Sequence, residues 1–289
     1  MFKSFMPGWF SRLLTIIASC CGLLGCSHEP VSIILEYEVD QEAMPGESVV
    51  EMNSLVAAIN GRLVRSGRAS VSENGRVEVA LFGDLDESEL QLIERRIETL
   101  GTLEFRITAS TTFKDHREII DLAKQIPPDE NEVWLGESKV AEWVEYKVDE
   151  EVDFLVKRLA GKMPQALIIV NDGYDVTGSF LRSVTASSDE QGRPQVDFKF
   201  DEVGGSRFGQ LTEKHLPSSS GQTYRLGIIF DNKLLTAPSI QSKITSRGRI
   251  TGSMGQEEVD FIVAVLNAGT LPYPIQQVSK RSVAQEVGK

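Results

Sequence analysis

The sequence contains few of the residues that cross-link a small domain or bind a metal. All three cysteines lie within the first 26 residues, and the three histidines are His28, His116 and His215. The histidines have no ligand-like spacing to one another or to cysteine. If residues 1–25 are removed as a signal peptide, Cys26 is left alone and cannot form a disulfide within one chain. We therefore expect no metal site and a fold that depends on packed cores.

Motifs for catalysis and phosphate binding are also missing. Neither GxxxxGK[ST] nor GxGxxG surrounds Gly204-Gly205, which fits a backbone position that needs glycine where a strand leads into a helix. The serines at Ser218–Ser220 lie in a loop without a GxSxG elbow. Asp231-Asn232 is typical of a hairpin turn. We predict that the chain is not an enzyme and has no catalytic residues and no cofactor.

The charge balance is acidic. Aspartate and glutamate number 42 against 30 lysines and arginines, which gives a net charge of −12. This excess argues against nucleic acid or an anionic lipid surface as the main partner. Three cations, Lys243, Arg247 and Arg249, could meet an acidic partner, although a solvated edge is the simpler interpretation.

The N-terminus has the pattern of an exported protein. Lys3 and Arg12 precede an uncharged stretch, Leu13–Gly25, that is shorter than the roughly twenty apolar residues of a membrane-spanning helix. The stretch ends in Leu-Leu-Gly before Cys26, which resembles a lipobox. An ordinary secretory signal or an uncleaved anchor would fit less well. We predict a lipoprotein-type signal peptide over residues 1–25, lipidation of Cys26, and a periplasmic protein anchored in the inner or outer membrane by two or three acyl chains.

The body of the chain predicts an α+β fold in two parts. Within residues 26–108, the order is βαββαβ, a ferredoxin-like base with its first and last strands as central neighbours. Its elements are a strand at Val31–Val39, a helix from Val49, a hairpin around Asn74-Gly75, a helix capped by Asp84 or Asp86, and a strand at Leu103–Thr108.

The second part begins after a less readable segment. Residues 109–165 read as an insertion or linker, and residues 166–252 as an α+β head with strands ALIIV, VDFKF and LGIIF, a helix at 206–215 and a turn at Gly248. A helix follows within residues 253–274, with a capping box at Ser253 and Gln256 and an end at Gly269. Residues 275–289 read as a polar tail. Each part is expected to hold one open sheet with helices on one side.

The run from Val176 to Pro274 resembles the periplasmic P1 domain of the SecD family, the membrane subunit that assists the bacterial Sec translocon. The blocks that carry the resemblance are VTGSFLRSV, GRPQVDFKFDEVGGSRFGQLT, YRLGIIFDNKLLTAPSIQSKI and RGRITGSMGQEEVDFIVAVLNAGTLPYP. IILEYEVD and LGTLEFRI resemble the opening and closing strands of the SecD base. The family's Asp-Leu-x-Gly-Gly signature does not precede the first strand.

The resemblance implies a role in protein export. In the family, charged residues inside the membrane couple proton flow to movement, and the transmembrane helices that carry them are not seen here, so we expect no proton-driven motor in this chain. Unfolded exported polypeptide and Sec subunits are the implied partners. An exposed strand edge could hold such a polypeptide by strand addition, with LGIIF and ITG as candidate strands and the contacting side chains unknown. The alternative is a structural or adaptor envelope lipoprotein that reuses the fold.

Overall fold

A computed structural model describes residues 30–41, 51–146, 154–219 and 221–283. The predicted signal peptide, Cys26 and His28 lie outside the described residues. The helices are α1 (Met52–Leu63), α2 (Glu87–Glu98), α3 (Arg117–Ala123), α4 (Glu202–Lys214) and α5 (Gln256–Ala268). The strands are β1 (Val31–Val39), β2 (Gly67–Val71), β3 (Val77–Phe82), β4 (Leu103–Thr108), β5 (Glu132–Leu135), β6 (Ser138–Tyr146), β7 (Lys157–Ala160), β8 (Met163–Ile169), β9 (Val176–Thr177), β10 (Leu181–Ser188), β11 (Pro194–Phe200), β12 (Leu226–Phe230), β13 (Lys233–Thr236), β14 (Arg247–Ile250) and β15 (Ile275–Ser282).

The base is an antiparallel sheet in the order β15-β1-β3-β2. The buried side chains of β1 and β3 pack with those of α1 and α2 in one apolar cluster. Asp86 begins α2 with the predicted type of cap, because its carboxylate accepts from the amide of Glu89 and the Glu89 side chain accepts from the amide of Asp86. The predicted β1, α1, β2-β3 hairpin and α2 are therefore confirmed.

The fourth strand of this sheet is not the one we expected. β1 pairs with β3 and β15, whereas β4 pairs with β12, β8 and β9 in another sheet. The predicted continuous βαββαβ unit over residues 31–108 is wrong. Within the predicted polar tail, residues 275–289, the segment Ile275–Ser282 forms strand β15 of the base sheet. β4 is buried from Phe105 to Thr108, as suits a strand covered on both faces, and β15 can be polar because it lies at an edge.

The largest sheet closes on itself. β6 pairs with β8, β8 with β4, β4 with β12, β12 with β13, and β13 with β6, so five strands form a ring. Val144, Ile168, Ile229 and Leu234 belong to one buried cluster contributed by strands of this ring. β5 and β7 extend the sheet beyond the ring. Residues 109–165, which we read as an insertion or linker, thus supply α3, β5, β6, β7 and the start of β8.

A three-stranded sheet, β10-β11-β14, packs against the ring with α4 and α5. Its contact with β4 is aromatic: the ring centroids of Phe105 and Phe198 are 5.1 Å apart, and those of Phe105 and Phe200 are 5.3 Å apart. Helix α4 starts at Glu202, earlier than predicted. A Cβ atom on Gly205 would lie 2.1 Å from the carbonyl oxygen of Thr245, so this position needs glycine for close packing. The residues that the structure describes therefore form three sheets where we expected two.

Helix α5 begins one residue after Gly255, which caps it without a side-chain hydrogen bond, so the predicted capping box at Ser253 and Gln256 is wrong. The helix ends before Gly269, whose positive φ of 86° confirms the predicted stop. Within the described residues, no helix has the length and apolar character needed to cross a membrane.

One buried arginine joins base and head. Arg62 of α1 is 2% exposed, and its guanidinium donates to the carbonyl of Leu100 after α2 (2.9 Å) and to that of Gly269 after α5 (3.0 Å). Burial lowers the pKa of Arg62 to about 10. Arg62 thus satisfies carbonyl groups beyond the C-terminal ends of one base helix and one head helix.

Asp231 makes a second link between the parts. Its carboxylate accepts from the amides of Gly101 (3.0 Å) and Thr102 (2.6 Å), just before β4. Asp231 and Asn232 both have positive φ, 45° and 59°, and form the two-residue turn between β12 and β13. The predicted hairpin turn is confirmed.

Candidate functional site

The first predicted binding strand, LGIIF, cannot accept another strand. It forms β12, which lies between β13 and β4, and all five of its residues are buried. A strand paired on both sides has no free backbone groups for a further partner. The prediction that LGIIF offers a binding edge is therefore wrong.

The second predicted strand does lie at an edge. β14 includes Ile250 of the ITG segment, and within the described residues it pairs with β11 alone. Gly248 lies inside this strand and not in a turn as predicted. A Cβ atom there would be 2.4 Å from Cζ of Phe198, so glycine lets the aromatic core pack directly beneath the strand.

The exposed side chains of β14 are cationic. Arg247 lies opposite Lys199 of β11, and Arg249 lies opposite Asp197, with Arg249 Nε 3.6 Å from Asp197 Oδ1. Like charges directly opposite each other are unfavourable, and charged side chains on an edge strand discourage pairing with another strand. β14 is thus an edge protected by charge.

β5 is a second edge that sequence reasoning missed. Within the described residues it pairs with β6 only. Its Val133 is fully buried, whereas Trp134 is 49% exposed and Leu135 is 46% exposed. β7 also ends the sheet, but residues 147–153, which come shortly before it, lie outside the described residues. In the sequence EVWL-GE-SKVAEWVEY, two strand-like runs are separated by a glycine and one other residue, a pattern typical of a hairpin. Gly136 has a positive φ of 63°, as such a turn requires, so the pattern could have identified β5.

The register defines which backbone groups of β5 face outward. The amide of Trp143 donates to the carbonyl of Asn131 at 2.8 Å, so Asn131 faces β6. Glu132, opposite Glu142, is then at a non-hydrogen-bonded position of the antiparallel pair. Its N–H and C=O groups therefore point away from β6, toward the free edge.

Beside β5 lies a groove of about 380 Å³, which we call the acidic groove. Lys139 bridges Glu132 and Glu142, with its Nζ 2.8 Å and 2.7 Å from their carboxylate oxygens. Although burial opposes the shift, these hydrogen bonds raise the pKa of Lys139, and the bond from Lys139 lowers the pKa of Glu132. The lining residues are Asn131, Glu132, Lys139, Glu142, Trp143, Glu145, Gln165, Asp231, Asn232 and Lys233.

Arg158 supports the start of β5 and the wall of this groove. Its guanidinium lies 4.6 Å from the centre of the Trp143 ring and donates to the side chain of Gln165 at 2.7 Å. Gln165, which is buried, donates in turn to the side chain of Asn131 at 3.0 Å. These contacts hold the residue that precedes β5 in place, while the outer edge of the strand and Trp134 stay exposed.

Two of the three histidines come together in the fold. His116 and His215 both pack against the ring of Tyr224, with centroid separations of 5.7 Å and 4.8 Å. Burial lowers the pKa of both imidazoles. In the part of the chain that the structure describes, no three histidine, cysteine or acidic side chains cluster as a metal site would require.

The sequence is similar to those of known proteins over most of its length. Residues 154–273 match the family model of the SecDF P1 head subdomain. The protein translocase subunit SecD of Rickettsia felis is 27% identical over 275 residues, which cover 89% of this chain and 50% of the relative. SecD of Magnetococcus marinus is 28% identical over 240 residues, which cover 76% of this chain and 43% of the relative.

Solved structures agree on the fold. The crystal structure of SecDF in a super-membrane-facing form aligns with a TM-score of 0.59 at 22% identity, covering 87% of this chain and 30% of that one. A second structure, of SecDF described as a membrane component that enhances protein export, aligns with a TM-score of 0.58 at 22% identity, covering 86% of this chain and all of that one.

Residues 154–273 are thus similar to the SecDF P1 head subdomain. The chain as a whole is similar to SecD over most of its length. It spans about half the length of the curated relatives it matches.

Proposed function

We propose that this chain assists Sec-dependent protein export by binding translocating polypeptide, or Sec subunits, on the extracytoplasmic side of the membrane. The similarity to SecD supports a role in protein export, and the strand edges that are unpaired among the described residues support the mode of binding. Strand addition suits such clients because main-chain hydrogen bonds supply much of the affinity and are common to every sequence. The sheet order β15-β1-β3-β2 supports a ferredoxin-like base in which β15 is the fourth strand.

The proposal includes a lipid anchor at Cys26, in the region outside the described residues. It rests on the uncharged stretch that ends in Leu-Leu-Gly before this cysteine. A diacyl or triacyl group would hold the protein at the membrane, because two acyl chains suffice for stable anchoring. Mass spectrometry of the mature N-terminus should find an acylated cysteine, and Cys26→Ala should block lipidation and change the fractionation of the protein. An unmodified N-terminal cysteine in the wild type would contradict the anchor.

Photo-crosslinking in cells tests the export role. A photoreactive amino acid replaces Trp134 at the edge of β5, and a matched control replaces Val71, which is also exposed but lies on β2 of the base. We expect position 134 to capture exported polypeptides or Sec subunits and position 71 to capture markedly fewer. Capture of envelope proteins unrelated to export at both positions would instead support the adaptor function.

A further inference from the structure

We infer that the outer edge of β5, the exposed Trp134 and the acidic groove together form a docking site for an extended polypeptide segment that carries a basic side chain beside an apolar one. This inference rests on the proposed function and specifies where the chain binds a polypeptide and which kind of segment it binds. It replaces LGIIF, whose backbone is already paired on both sides.

The backbone of β5 supplies the first component of the site. Glu132 presents its N–H and C=O groups to the free edge, since its neighbour Asn131 is bonded to β6. An extended chain lying along this edge would pair with these groups without disturbing the β5-β6 ladder. Arg158 and Gln165 hold the strand from the other side, so the edge is already in place before a ligand arrives.

Trp134 and Leu135 supply the apolar component. They are adjacent, and each has nearly half of its surface exposed. Folded proteins usually protect an edge strand with charge, as Arg247 and Arg249 do on β14. A large aromatic side chain at an unprotected edge therefore indicates a contact surface, where tryptophan often contributes strongly to binding.

Charge in the acidic groove selects the partner. Four carboxylates, of Glu132, Glu142, Glu145 and Asp231, line it together with the ammonium groups of Lys139 and Lys233. The Arg158 guanidinium lies against Trp143 at the wall, and Asp231 already accepts from the amides of Gly101 and Thr102, so a net negative charge remains. Lys139 is already shared between Glu132 and Glu142. A lysine or arginine of a bound segment would balance the remaining negative charge, whereas a glutamate would meet repulsion.

The first experiment compares two extended, threonine-rich peptides on the purified mature chain. One peptide has lysine next to phenylalanine, and the other has glutamate in place of that lysine. Fluorescence of Trp134 reports binding, because the indole leaves water when it is covered, whereas Trp143 is already buried. We expect the lysine peptide to bind roughly tenfold more tightly at low salt, with the difference shrinking as salt screens it.

Two variants at position 132 distinguish the contribution of backbone pairing to binding from the contribution of charge. Glu132→Gln removes the carboxylate only, and Glu132→Pro also removes the outward N–H group, which an edge strand tolerates. We expect Glu132→Pro to weaken the lysine peptide roughly three- to tenfold more than Glu132→Gln does. Trp134→Ala lacks the fluorescent reporter, so its binding is measured by isothermal titration calorimetry beside the wild type, and it should be weaker by about tenfold. Val71→Ala on the base should leave binding unchanged. Circular dichroism checks that each variant folds, and Trp134→Ala is informative even if the proline variant does not.

Three results would overturn the inference. If an unfolded client binds the wild type but equally well to Glu132→Pro and Trp134→Ala, the docking site is wrong while the proposed function stands. If neither peptide nor client binds the wild type, the proposed function fails as well. If the Trp134 signal shifts with protein concentration alone, a second copy of the chain occupies the edge.

Discussion

Two short strands, β5 and β14, each lie at the edge of a sheet in the described part of the chain and carry opposite kinds of exposed side chain. β5 exposes Trp134 and Leu135 beside a groove rich in carboxylates. β14 exposes Arg247 and Arg249 and has no exposed large apolar side chain. Both strands pair on one side only among the described residues, so the contrast comes from their side chains.

The difference shows how one fold can have an edge strand that discourages pairing with another strand and a second edge strand that is open to it. β14 lies directly on the aromatic core, where Gly248 leaves room for Phe198, and its cations discourage further pairing. β5 is held by the buried Val133 and by the contacts of Arg158. Its one charged side chain, Glu132, is already paired with Lys139, and Trp134 and Leu135 are exposed beside it. On the inference above, the β14 edge serves folding and the β5 edge serves binding.

The largest effect on stability is expected at β14. Gly248→Ala places a methyl group 2.4 Å from the ring of Phe198, which is itself packed against Phe105 and Phe200. Overpacking of this kind should cost about 2 to 3 kcal/mol in the free energy of unfolding, measured by urea titration. The control is a double-mutant cycle with Phe198→Leu, in which the two costs should be clearly less than additive. Full additivity would mean that the ring is not the obstacle.

At β5 the buried and exposed side chains should behave differently. Val133→Ala removes a fully buried side chain and should cost about 2 kcal/mol in unfolding free energy. Trp134→Ala should stay within about 0.5 kcal/mol of the wild type, because half of the side chain is already in water. A large loss of stability in Trp134→Ala would contradict the view that this tryptophan is kept for contact.

The smallest effect concerns the cations of β14, where two neighbouring reversals should have opposite signs. Arg247→Glu replaces a like-charge pair with Lys199 by an attractive one and should stabilise by roughly 0.5 kcal/mol at low salt. Arg249→Glu replaces the pair with Asp197 by repulsion and should destabilise by a similar amount. Both shifts should fade at high salt. Shifts of the same sign would show that these cross-strand pairs do not govern the edge.

Local elements were predictable from the sequence because they depend on neighbours in the chain. The Asp86 cap of α2, the Asp231-Asn232 turn and the glycine stop at Gly269 all follow from a few adjacent residues. The partner of β1 was not predictable, because alternation identifies the face of a strand that is buried but not the strand beside it. Ile275–Ser282 reaches β1 from more than 230 residues away in the sequence.

The candidate site was missed for a related reason. A continuous apolar run such as LGIIF is typical of a strand buried on both faces, which argues against an edge. The hairpin formed by EVWL and SKVAEWVEY could be recognised from the sequence. Its position at the end of the sheet, however, depends on the pairing between β6 and β8. Whether a strand lies at the edge or in the centre depends on the pairing of the whole sheet, and a local sequence pattern does not determine it.

Hydrogen exchange at the amide of Glu132 tests the central claim most directly. This amide points to the free edge, so it should exchange rapidly in the isolated chain. Addition of an unfolded client or of the lysine peptide should slow its exchange, while the amides of 247–250 should not change. Protection at β14 instead, or no change at Glu132 under conditions where Trp134 fluorescence shows saturation, would contradict strand addition at β5.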